Sequence, residues 1–175
     1  MKLTRLFLSW VFVVALFSLP RVAVAEPVPE YQMKAAYLYN FATLTTWPTH
    51  VNNAVRICVL GNDSFGGALQ QITKNASGSV QITLSYLSNI DNAQHCQILF
   101  IDVSALDNPA ELLKKLEKMP VLTVTDNLDF FNAGAMIGLF LDNKRLAFDV
   151  NYAQAKNAQL FISSKLLRVA RKVMQ

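Results

Sequence analysis

Two periodicities alternate along the chain, and their changes mark its elements. Met33, Tyr37, Phe41 and Leu44 recur at helical spacing until Trp47-Pro48 ends the pattern, which predicts one amphipathic helix. Residues 54–60 (AVRICVL) form a compact apolar run closed by Gly61. Asp63 and Ser64 follow as candidate caps, then a helical stretch runs from Phe65 to about Lys74, so the segment reads as strand, turn, helix. Residues 80–87 (VQITLSYL) alternate apolar and polar positions and read as an outer strand, whereas residues 97–103 (QILFIDV) are continuously apolar and read as a central one. Residues 109–118 place Leu112, Leu113 and Leu116 on one helical face, and residues 121–125 predict another buried strand.

Residues 135–141 and 145–151, joined through Asp142-Asn143-Lys144, give the clearest hairpin signal in the chain. Ser163 or Ser164 can cap a last helix carrying Leu166, Leu167, Ala170, Val173 and Met174, with Lys165, Arg168, Arg171 and Lys172 on its other face. Strand and helix alternate through residue 125 before the hairpin. The expected fold is therefore a three-layer α/β sandwich, its sheet mostly parallel with a C-terminal antiparallel hairpin, and helices on both faces.

Composition changes the picture chiefly at the N-terminus. Residues 1–5 are basic, Leu6 to Leu19 is almost wholly apolar, and Ala23-Val24-Ala25 supplies small residues at the cleavage positions, the pattern of a secretory signal peptide over residues 1–25. Removing its three basic residues takes the formal charge of the 175-residue chain from +4 to +1, so a basic face for nucleic acid is not supported. Residues 26–175 are then read as one exported domain. An even number of Cys in an oxidising compartment favours a Cys58–Cys96 crosslink, with two buried thiols as the alternative.

Several segments together carry a family resemblance: residues 34–41 (KAAYLYNF), 57–61 (ICVLG), 96–101 (CQILFI), 121–126 (VLTVTD) and 162–167 (ISSKLL). In this order, over about Tyr31 to Arg171, the chain closely resembles the YfiR family of periplasmic regulators. The resemblance implies a non-catalytic repressor without a cofactor. Such a protein binds the periplasmic sensor portion of an inner-membrane diguanylate cyclase and lowers cyclic di-GMP, exopolysaccharide and biofilm. It also implies sequestration by an OmpA-like outer-membrane lipoprotein, and a homodimer. Cys58 and Cys96 occupy the family's motif cysteines. The second cysteine pair of the family's namesake is absent between Phe130 and Leu139, so a redox switch built on it does not carry over.

A repressor needs a complementary surface rather than a reacting group. Aromatic and Arg residues commonly anchor such surfaces. Phe148, Asp149, Asn151, Tyr152, Leu167, Arg168 and Arg171 are the candidate partner-binding residues, near an aromatic cluster that includes Phe130, Phe131 and Phe140. Core packing of those aromatics is the competing reading. Asp149 and Asn151 bracket Val150 and are expected to share an exposed face, although Asn151 can equally end the strand and start a turn.

Other chemistry finds weaker footing. Asp63, Asp102 and Asp126 fall at strand ends, where open α/β sheets bind ligands, and could resemble the Mg²⁺-holding acidic pocket of a phospho-accepting domain. No single clear Lys ends the next strand to complete it. Adjacent His95 and Cys96 point to opposite faces of a strand, a poor geometry for a nucleophile and its base. Cys58, His95 and Cys96 lack metal-ligand spacing. Residues 61–67 (GNDSFGG) could cradle an anion but match neither phosphate-binding glycine pattern, and a tight turn is the simpler reading. The alternative function is a periplasmic small-ligand binding protein that passes occupancy to a membrane sensor kinase.

Overall fold

The computed structural model describes residues 29–48, 54–75, 80–105, 108–143 and 145–175. The signal peptide expected over residues 1–25 lies outside the described residues.

In chain order, α1 (Glu30–Leu44) runs into a two-residue strand β1 (Thr45–Thr46), followed by β2 (Ala54–Leu60), α2 (Ala68–Asn75) and β3 (Gln81–Leu87). A 3-10 turn (Ile90–His95) leads to β4 (Ile98–Ile101), α3 (Pro109–Leu116), β5 (Leu122–Thr125) and α4 (Leu128–Asn132). The hairpin β6 (Ile137–Asp142) and β7 (Arg145–Asn151) passes directly into α5 (Tyr152–Asn157), then β8 (Phe161–Ile162), α6 (Ser164–Val169) and β9 (Lys172–Met174).

The main sheet has seven strands in the order β3-β2-β4-β5-β6-β7-β9. β4 and β5 bury every residue, which requires cover on both faces, and they sit inside the parallel part of the sheet. β3 has only exposed and half-buried positions, with none buried, and forms the edge. The hairpin expected from residues 135–141 and 145–151 is present, pairing Ile137 with Val150 and Asp142 with Arg145, so residues 137–142 oppose 145–150 and Asp142 belongs to the strand rather than the turn. β1 and β8 form a separate antiparallel pair.

Each face carries its own core. One is filled by Leu38 and Phe41 of α1, Val55, Ile57 and Val59 of β2, and Phe100, Ile137 and Phe148 from the strands beyond. The other joins Cys58, Leu99 and Ile101 of the sheet to Leu112 and Leu116 of α3 and Phe130 of α4. Helices therefore lie on both faces of a mostly parallel sheet. Cys58 is bonded to Cys96, with Cα atoms 5.9 Å apart, which fastens β2 to the end of the 3-10 turn.

Short helices depend on side-chain caps because they have few internal bonds to offset their free amides. Asn127 Oδ1 accepts from the amides of Asp129 and Phe130 to start α4, and Asn151 Oδ1 accepts from Gln154 N to start α5. Asn108 caps α3 ahead of Pro109. Neither α4 nor α5 is evident from apolar spacing.

The expected C-terminal helix through Met174 is corrected. It ends at Val169, and Ala170 turns extended at φ −66°, ψ 142°. Lys172–Met174 then pair in parallel with Asp149–Asn151, and Arg171 N donates to Phe148 O at 2.9 Å. Strand bonds to the open side of β7 thus take the place of a last helical turn.

Candidate functional site

Between β2 and β4 the connections diverge: β3 lies on one side of β2 and β4 on the other. In open α/β sheets the crevice beyond the carboxyl ends at such a point is the usual ligand site. Here the protein's own side chains fill it. Gly61 has φ +100°, and a Cβ there would come within 2.8 Å of Ser104 Oγ, so only glycine lets these two loops meet. Asn62 N donates to Ser104 Oγ at 2.8 Å. Asp102, at the end of β4, is buried, and both carboxylate oxygens are engaged: Oδ2 accepts from Ser64 Oγ at 2.6 Å, and Oδ1 from Ser104 N at 2.9 Å and Ser104 Oγ at 2.6 Å. Burial alone would raise its pKa, yet the Ser104 and Ser64 donors, helped by the Lys34 charge, hold it below the usual carboxylate range.

Lys34 reaches in from α1. Its side chain is 5 % exposed, and Nζ lies 2.6 Å from both Asp126 Oδ2 and Glu30 Oε1, 4.2 Å above the Tyr31 ring. Burial opposes its charge, but bonds to Asp126 and Glu30 raise its pKa above the ordinary lysine value. Asp126 also accepts from Tyr31 OH at 3.4 Å. A Mg²⁺ pocket needs carboxylates free to ligate, whereas Asp102 is bound by serines and Asp126 by a lysine. Among the described residues no group of three or more His, Cys, Asp or Glu is placed to hold a metal ion. Asp63 caps its own turn through Phe65 N at 3.0 Å. Cys96 is consumed by the disulfide, and His95 beside it is exposed.

The candidate partner-binding residues lie along β7, α5 and α6 and, for Arg171, just before β9, but they do not form one surface. Phe148 is corrected to a core residue. It is 1 % exposed and packs edge-on against Phe41 and Tyr37, with centroids 5.3 and 5.4 Å apart, because α1 covers that face of β7. Asp149 is on the opposite face as expected, but it is buried rather than exposed. Arg171 closes over it with a two-pronged ion pair, Nε to Oδ1 at 2.8 Å and the terminal nitrogen to Oδ2 at 2.6 Å. That bond also raises the Arg171 pKa.

Behind this pair the Arg171 guanidinium lies 5.6 Å from the Phe140 ring centre, and Phe140 packs edge-on to Phe131. Phe130 and Phe131 are buried, so the competing reading of those aromatics as core holds for them. Asn151 is spent on capping α5, where Tyr152 is half-buried beneath Lys156. Leu167 is half-buried against the core, and Arg168 is exposed. Phe161 and Val169, both widely exposed, stand on β8 and α6 at this end and were not among the candidates. Single exposed apolar residues carry no sequence signal.

The profile of a family described as YfiR/HmsC-like matches residues 31–171. No curated protein matches the chain. Among solved structures, a conserved domain protein from Vibrio cholerae O1 biovar El Tor is similar over 83 % of this chain and 60 % of its own, with TM-score 0.53 and 10 % identity. The ABC domain in complex with L-Trp from Streptococcus pneumonia is similar over 82 % of this chain and 60 % of its own, with TM-score 0.53 and 8 % identity. The chain thus spans about three fifths of each, and at these identities the likeness concerns the α/β fold alone.

Proposed function

The chain belongs to the YfiR/HmsC-like family, and from that premise we propose that it is a periplasmic repressor of an inner-membrane diguanylate cyclase. It acts by stoichiometric binding to the cyclase's periplasmic sensor portion, without turnover or cofactor. The observation that carries this reading is the family match over nearly all of the described chain. The crevice at the sheet's carboxyl ends supports it from the chemical side, since its carboxylates are committed to internal bonds. The family also points to an OmpA-like outer-membrane lipoprotein and a second copy of this chain as further partners.

For the contact surface we assign the accessible part of the β8–α6–β9 region: Phe161, Leu167, Arg168 and Val169, with Arg171 at its margin. Apolar groups flanked by arginine suit a partner that presents apolar and acidic groups together.

The experiment is cellular cyclic di-GMP in a strain lacking this protein, compared with one that also lacks the candidate cyclase. A rise in the first strain that vanishes in the second is expected. No rise in the first overturns repression and favours ligand relay to a sensor kinase.

A further inference from the structure

The two edges of the seven-stranded sheet are unlike. β9 is three residues long, opens with Lys172 and follows Arg171, so shortness and charge both guard it. β3 is seven residues, QITLSYL, with no charged residue and no proline, and among the described residues only β2 pairs with it. A long uncharged edge offers unpaired amides and carbonyls to any strand that can lie beside it.

The side chains of β3 specify which strand fits. Reversed on itself about Leu84, the segment sets Ile82 opposite the partner's Tyr86, Thr83 opposite the partner's Ser85, and Leu84 opposite the partner's Leu84. Ile82, Leu84 and Tyr86 share one face by the two-residue repeat of a strand, and Thr83 and Ser85 the other. A β-branched residue against an aromatic, and hydroxyl against hydroxyl, are favourable cross-strand pairs, and no like charges meet. Tyr86 is 45 % exposed, and its hydroxyl is held to Gln70 of α2, so its ring is fixed at the edge rather than swinging free.

We propose that β3 pairs antiparallel with β3 of a second copy across a two-fold axis at Leu84, joining two seven-stranded sheets into one continuous sheet. This deepens the homodimer of the reading above and rests on that part of it, not on repression. A second copy of the chain presents this same strand, and from residue 82 to residue 86 every facing pair across the axis is then aliphatic with aromatic, aliphatic with aliphatic, or hydroxyl with hydroxyl, with no charge between them. The pairing also closes on itself, since each copy uses its one unguarded edge and the guarded β9 edges do not propagate. One strand pair with its flanking turns lies at the small end of specific interfaces, so the dimer dissociates on dilution.

The test uses protein expressed from the full reading frame and purified, followed by sedimentation velocity across a wide concentration range. A reversible dimer is expected. Thr83→Lys with Ser85→Lys should weaken it by about tenfold or more, because four ammonium groups then share one face of the pair. The melting temperature of that variant should stay near the parent's, showing that it is folded. Leu84→Cys should form an intermolecular disulfide, and Gln81→Cys should not, being about 20 Å from its own copy in this register. A monomer at every concentration overturns both the homodimer and this pairing. A dimer that survives the lysine pair, or fails to crosslink at residue 84, overturns only the pairing.

Discussion

Opening the Cys58–Cys96 bond tests how much of the fold's stability is covalent. The bond closes a loop 38 residues long in sequence. Restricting the unfolded chain in this way is worth about 4 kcal/mol on the chain-entropy account. A domain holds only about 5 to 15 kcal/mol in total, so the loss is a large share. Both sulfurs are buried, so Cys58→Ala with Cys96→Ala adds a cavity cost to the loop term. Protein reduced in denaturant and refolded under reductant keeps the sulfur atoms and isolates the loop term. For a chain of this size the melting temperature should fall by about 8 to 16 °C on reduction, and further in the double alanine variant. Non-reducing mass measurement must first show the oxidised form lighter by two hydrogens. Oxidised and reduced forms melting within about 2 °C of each other would refute the reasoning, since the crosslink would then restrict nothing that folding must order.

Phe148→Ala should cost about 3 to 5 kcal/mol in urea unfolding, so any derepression it causes should track the unfolded fraction; a folded variant of parental stability would place Phe148 outside the core. Lys34→Met should destabilise by roughly 2 to 4 kcal/mol by stranding Asp126 in a half-dry site, and adding Asp126→Asn should recover part of that; strictly additive losses would dissolve the pair. Because Asp102 titrates below its unfolded value of about 3.9, its contribution is complete above that pH and is lost as pH falls through the lower folded value. Asp102→Asn should therefore flatten the acid limb of the stability curve, and an unchanged limb would contradict the depressed pKa. Arg168→Glu with Val169→Lys should raise cyclic di-GMP while leaving the melting temperature within about 2 °C of the parent, and normal repression would move the contact surface elsewhere.

Where burial pattern and strand position coincide, the sequence was readable. The continuous apolar runs at residues 54–60, 98–101 and 122–125 became inner strands, and the alternating run at 81–87 became the edge. Burial on two faces leaves a different trace from burial on one. The same logic misled at Phe148. Both sides of β7 are covered, by α1 on one and by the Arg171 strap on the other, and alternation names two faces without saying that neither is open. The C-terminal segment has helical spacing through Met174, but a vacant strand edge 22 residues upstream captures it, with Arg171 meeting Asp149 there. The Lys34–Asp126 bond spans 92 residues, so neither local spacing nor charge pattern could announce it.

The Cys58–Cys96 bond has a topological consequence beyond its energy. It makes residues 58 to 96 a covalent ring that contains α2 and β3. Should that part of the sheet come loose, it leaves as a tethered loop, anchored at β2 and just before β4, and never as a free end that could thread into a neighbouring molecule. A peptide bond cut anywhere within the ring also releases nothing: the nicked protein stays one molecule until a reductant arrives, so its two pieces travel together through any separation that leaves the sulfurs joined.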